Sequence, residues 1–138
     1  MSAALNQMMQ TLARDAQASL ASNTPPHDAI IRLEQLARVH PLAVLLADNT
    51  GRYVGANSAA AQLTGYSRRE LLSLSVFDIT PAADEKDNAL LWRAFLAVGR
   101  QAGEIVLRRK DGSLVTGSYI AASHVIPGVH VSIISTTD

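Results

Sequence analysis

From residue 2 to 21 the apolar side chains Leu5, Met8, Met9, Leu12, Ala16 and Leu20 recur close to the spacing of one helix face, with no Gly or Pro between them. The pattern predicts an amphipathic helix. "SNTPP" breaks it, and a second helix fits "DAIIRLEQLARV", started by Asp28 or its neighbours. Pro41 ends that helix, because a proline disfavours helical geometry at the residue before it, His40. Beyond Pro41 the apolar positions change from helical spacing to runs and alternation. "LAVLLAD" reads as a buried strand, "NTG" as a turn and "RYVGA" as its hairpin partner.

Helical signals return in the middle of the chain. Asn57 and Ser58 can cap a short helix over "SAAAQLTG", which Gly65 ends. Ser67 and Glu70 stand at the capping-box spacing for "SRREL". After "VFDIT", Thr80-Pro81 is expected to open a longer helix through "DNALLWRAFLAVG". Asp84, Glu85 and Asp87 suit its first turn, where the helix dipole favours negative charge, and read as a solvated face. The rest is strand: "GEIVLRRK", an Asp-Gly turn of the hairpin type, "SLVTGSYIAASHV", the turn "IPG", and "VHVSIIS". Along that last strand Val129, Val131 and Ile133 share one face, while His130, Ser132 and Ile134 share the other. An imidazole and a hydroxyl side by side in so apolar a strand are either solvent-facing or aimed into a cavity.

Composition narrows the classes. The 138 residues are 48% hydrophobic and 17% charged, which suits one globular domain rather than two or a disordered chain. Twelve basic residues balance twelve acidic ones, so no field favours nucleic acid or an anionic membrane as partner. The balance is compatible with self-association. No cysteine is present, which removes disulfides, thiolate zinc sites and cysteine nucleophiles. The start "MSAALNQMMQTLARDAQ" lacks the basic and then apolar regions of a signal peptide, and "PLAVLLA" is too short to span a membrane. A cytoplasmic protein is the expectation, and the opening Met fits the start of a small complete chain.

Four stretches carry a family resemblance, in order: "LAVLLADNTGRYVGAN", then Asn57 leading into "AAAQLTGYSRREL", then "DITPAAD", then "GEIVLRRKDGSLV". From about Pro41 to Asp138 the chain resembles a PAS domain. The resemblance implies an α+β fold, a five-stranded antiparallel sheet in the order 2-1-5-4-3 with helices across one face. It divides the chain into an N-terminal helical region, 1–40, and a PAS domain, 41–138. It also implies a sensor or dimerisation module rather than an enzyme. Function must still be argued from the site, since one fold hosts many uses.

Cofactor options can be tested on the residues. The photochemical flavin and yellow-protein branches need a Cys that is missing, and Leu107 and Gly117 stand where the flavin branch places amides. The haem branch takes a His from the long helix, which has none here; His130 is a remote iron ligand from the sheet. An FAD branch could use Trp92, although Trp92 and Phe95 about one helical turn apart also fit plain core aromatics. No cofactor is expected. His27, His40, His124 and His130 lack metal-ligand spacing, and "TGSYI" around Ser118 is no nucleophile elbow.

The resemblance aims Ile134 into a pocket, and His130 and Ser132 share its face. By the same alternation Ile105 and Leu107, then Tyr119 and Ala121, face the cavity from two strands, with Leu91, Trp92 and Phe95 closing the opposite wall. The set is apolar with three polar groups, Tyr119, His130 and Ser132, the usual make-up of a small-molecule pocket. A filled core, with His130 bonded to Tyr119 or to a backbone carbonyl, fits equally well. Two functions follow. One is a sensor of a small, mainly apolar ligand, with a carboxylate as a sensible class; the other is a ligand-free interaction module. In either, the N-terminal stripe of Leu5, Met8, Met9 and Leu12 is expected to pair two copies as a homodimer. A signalling partner is implied but not identified.

Overall fold

The computed structural model describes residues 3–38, 40–81 and 85–136, with side chains from Leu90 onward in the last helix. Helices α1 (Ala3–Ala21) and α2 (Pro26–Ala37) come first. Asn23 closes α1 at φ 56°, while Asn23 N–H donates to Leu20 and Thr24 N–H to Ser19, the Schellman arrangement. Pro26 opens α2, two residues before Asp28. Strands β1 (Ala43–Asp48) and β2 (Tyr53–Ala56) follow, then the short helices α3 (Ser58–Thr64), α4 (Arg68–Leu71) and α5 (Val76–Ile79). Helix α6 (Glu85–Val98) leads into β3 (Arg100–Arg108), β4 (Leu114–Ile126) and β5 (Val129–Thr136).

The five strands form one antiparallel sheet in the order β2-β1-β5-β4-β3, as the resemblance implies. Caps account for the middle helices. Gly65, at φ 78°, ends α3. Ser67 and Glu70 form the expected capping box of α4. A second box, Ser75 with Asp78, turns "VFDI" into α5, a helix the sequence pattern left unassigned. Pro81 is not helical; α6 begins at Glu85, so the expected opening at Thr80-Pro81 is corrected. Asp84 lies outside the described residues. The β3–β4 turn also differs: only Gly112 has positive φ, so Lys110–Gly112 make a three-residue turn with a bulge, not the two-residue Asp-Gly type.

Each face of the sheet has its own buried cluster. Ala43, Leu45, Ala47, Leu107, Val115 and Ile134 pack against Ala60, Leu71 and Ile79 from the short helices. Val44, Leu46, Ile120, Val131 and Ile133 pack on the opposite side against α1 and α2. The N-terminal helices therefore cover the face that the other helices leave open. Leu5, Met8, Met9 and Leu12 are buried within this one chain. This corrects their assignment to a contact between copies: the sheet's second apolar face needed covering, and the stripe covers it. Leu20, counted in the stripe, is exposed.

Asn57 ties the two layers together. Its Oδ1 accepts from Val44 N–H at 2.9 Å and from Ala60 N–H at 3.0 Å. Its Nδ2 donates to the carbonyls of Ala37 and Leu42, both at 2.8 Å. One buried side chain thus caps α3, fixes β1 and holds the end of α2.

Candidate functional site

A cavity of about 470 Å³ lies between the sheet and helices α5 and α6. Alternation along β4 and β5 aims Tyr119, Ala121, His130 and Ser132 at it, and β3 adds Ile105. Leu91, Trp92 and Phe95 close it from α6. Leu91 is 65% exposed, so it sits at the mouth rather than in the wall. Eight of the ten residues expected around a ligand therefore meet at one site. Ile134 and Leu107 do not: both share the cavity's face of the sheet but pack into the filled part of the core with Ala60 and Leu71. The expected alignment is corrected there, because the short helices fill that end of the face.

Further lining residues were not expected. β1 contributes Leu45 and Ala47, β2 contributes Tyr53, and the α5 region contributes Val76, Phe77 and Thr80. Alternation in "LAVLLAD" could have pointed to Leu45 and Ala47; no local signal marks Phe77. Gln101 enters from β3, and its Oε1 accepts a long hydrogen bond of 3.4 Å from the Tyr119 hydroxyl. Tyr53 and Ser132 hydroxyls make no hydrogen bond to the described residues. Burial, with help from the nearby Asp78 carboxylate, raises the Tyr53 pKa, so the phenol stays protonated and able to donate.

His130 is 2% exposed and both of its ring nitrogens are engaged. Nδ1 accepts from the backbone N–H of His124 at 2.8 Å. In the neutral ring the proton is then on Nε2, which donates to Asn49 Oδ1 at 2.8 Å. Neither Tyr119 nor a backbone carbonyl is its partner. His124 sits at φ 53° where the β4–β5 register shifts between Ala122 and Ile126, so His130 holds a bulge in place. Asn49 is also bonded through its carbonyl, which accepts from Trp92 Nε1 at 2.7 Å. A continuous chain of contacts runs from α6 through the β1–β2 turn and His130 to the bulge. Trp92 and Phe95 rest edge-on against the His130 ring, with centroids 5.6 and 6.1 Å away.

This geometry decides what His130 can do. Burial first, and His124 second, lower its pKa from the ordinary 6.5 to about 4, against a smaller opposing effect of Asp48. A neutral imidazole with both nitrogens occupied offers neither a charged donor for a carboxylate nor a free nitrogen for iron. This removes His130 as a charged donor to a carboxylate and as the remote haem ligand. Among the described residues no group of His, Asp and Glu could hold a metal ion, and no helix is long and apolar enough to cross a membrane.

Similar proteins are found both by sequence and by structure. Sporulation kinase E of Bacillus subtilis (strain 168) is 24% identical over 90 residues, which is 65% of this chain and 12% of the kinase. The chain thus spans about an eighth of that relative's length. The crystal structure of the PAS domain of an HTR-like protein from Haloarcula marismortui superposes with a TM-score of 0.66 at 21% identity, covering 78% of this chain and 90% of that one. A domain of a sensory box sensor histidine kinase/response regulator from Geobacter sulfurreducens gives 0.64 at 19% identity, covering 75% and 95%. The family model of the PAS domain matches residues 41–136, so the chain belongs to the PAS domain family.

Proposed function

We propose that this PAS domain is a sensor module that binds a small, mainly apolar ligand in the cavity under α6 and passes its occupancy to a signalling protein. The observation that carries the reading is a cavity of about 470 Å³ at the sheet–helix interface, in the size range of small-molecule sites. Unbonded hydroxyls of Tyr53 and Ser132 in its walls support it, since buried polar groups ordinarily have partners. Similarity to a segment of a sporulation kinase and to a sensor histidine kinase domain supports a signalling context. Native mass spectrometry of the purified chain, beside its absorption spectrum, tests the reading. An added mass that leaves on collisional activation is expected when the protein is incubated with small apolar compounds. A chain that retains none of them at saturating concentrations sinks it.

A second reading is an interaction module that pairs without a ligand. Leu20, Ile31 and Leu36 on α1 and α2 are more than a third exposed, and these are the side chains on which a homodimer through the N-terminal helices would have to draw. The same native spectra decide it: a dimer that Leu36→Glu converts to monomer favours this reading, and a monomeric wild type removes it.

A further inference from the structure

We propose that the cavity takes a neutral aromatic molecule of one or two rings carrying a hydrogen-bonding oxygen; this rests on the ligand-binding reading above and narrows its chemistry. The chain has only six aromatic residues, one Trp, three Tyr and two Phe. Five of them, Tyr53, Phe77, Trp92, Phe95 and Tyr119, line this one cavity. They come from four elements, β2, α5, α6 and β4, so no single helix or strand periodicity groups them. Trp92 already stands edge-on to Phe77 and tilted to Phe95, with centroids 6.2 and 5.4 Å apart. Such walls offer both ring faces and ring edges, and a planar π-system exploits them beyond mere burial of area.

Charge selects a neutral molecule. Among the described residues that line the cavity there is no Asp, Glu, Lys or Arg. The one imidazole there is neutral because His124 N–H and Asn49 Oδ1 occupy its nitrogens. An anion would be buried with no cation among these described residues, and with the Asp78 carboxylate acting on nearby Tyr53. The oxygen follows from the unused hydrogen-bonding groups: the Tyr53 and Ser132 hydroxyls and the Gln101 amide N–H₂. A hydroxyl or carbonyl on the ring would satisfy one of them without bringing charge into the site.

Three matched probes test this on the full chain at about neutral pH: 2-naphthol, its charged analogue 2-naphthoate, and the saturated decahydro-2-naphthol. Calorimetry should find 2-naphthol bound at least about tenfold more tightly than either of the others, a gap set by charge burial and ring stacking. Intermolecular nuclear Overhauser effects should connect 2-naphthol to the Trp92 and Tyr119 rings. Ser132→Ala or Tyr53→Phe, whichever keeps a wild-type circular dichroism spectrum, should weaken 2-naphthol several-fold. Equal or tighter binding of 2-naphthoate or the decalin alcohol overturns the aromatic, neutral class while leaving the ligand-binding reading standing. Overhauser effects only to residues outside the cavity overturn it as well. If none of the three binds, this inference falls, while the reading beneath it is decided by the native mass spectra described above.

Discussion

Replacing His130 with Phe separates a structural role for this residue from a ligand-binding one. Phe keeps the ring and so retains the packing against Trp92 and Phe95. It removes two hydrogen bonds of 2.8 Å each. The His124 N–H, held in a half-buried bulge, loses its acceptor, which costs about 1–3 kcal/mol. Asn49 is exposed and can turn to water, so its lost bond costs only about 0.5–1 kcal/mol. The expected destabilisation near neutral pH is therefore about 2–3 kcal/mol, a large fraction of the marginal stability of a domain this size.

Acid should shrink that difference. The folded state keeps His130 neutral down to about pH 4, whereas the unfolded chain protonates it below 6.5. Its depressed pKa thus contributes stability that is fully present above about 6.5 and is lost as pH falls towards 4. The whole shift would amount to about 3 kcal/mol, and solvent reaching the cavity reduces this to about 1–2 kcal/mol. Carboxylates titrate alike in both proteins and cancel in the comparison. Urea unfolding followed by the single tryptophan, at about pH 7.5 and about pH 4.5, measures both quantities. A variant as stable as wild type at the higher pH, or a gap that does not narrow at the lower one, refutes the reasoning.

Asn57→Ala should cost about 3–5 kcal/mol, since it strips the α3 cap and leaves Val44 N–H and the carbonyls of Ala37 and Leu42 without partners; urea melts read this directly. Leu12→Ala, at a fully buried site between α1 and the sheet, should cost about 2–5 kcal/mol by the same measurement. Deleting residues 1–22 should not yield a stable free monomer: it uncovers Val131 and Ile133, and light scattering should detect aggregation. Protein purified from a haem-supplemented host should show no Soret band, because neither nitrogen of His130 is free.

Much of the fold was legible because its signals are local. The Asn57 cap on α3, Gly65 and the Ser67–Glu70 box each act within a few residues, and all three sit where their chemistry requires. Strand alternation likewise placed Val129, Val131 and Ile133 opposite His130 and Ser132, and the buried clusters divide in that way. Errors arose where a choice depends on what lies across a layer. The stripe of α1 shows that a helix buries one face, yet nothing within it says whether a sheet or a second copy does the burying. That answer lies about 120 residues away, in the apolar back face of β4 and β5. Leu107 and Ile134 failed for a related reason. Periodicity names a face, but packing of α3 and α4 decides which part of that face is filled.

His130 shows how polar residues in an apolar strand escape such reading. Its neighbours in sequence are Val129 and Val131, which carry no trace of its partners. One partner is the N–H of a residue whose positive φ is unusual for His, and the other is a turn residue 81 positions away. A bulge places its N–H where ladder pairing is broken, so that group must find an acceptor elsewhere. The imidazole supplies one and can still reach Asn49 with its other nitrogen. That double engagement answers why an imidazole stands beside a hydroxyl in so apolar a strand. His130 holds the frame of the cavity, while the hydroxyl of Ser132, two residues on, lines it without a hydrogen bond to the described residues.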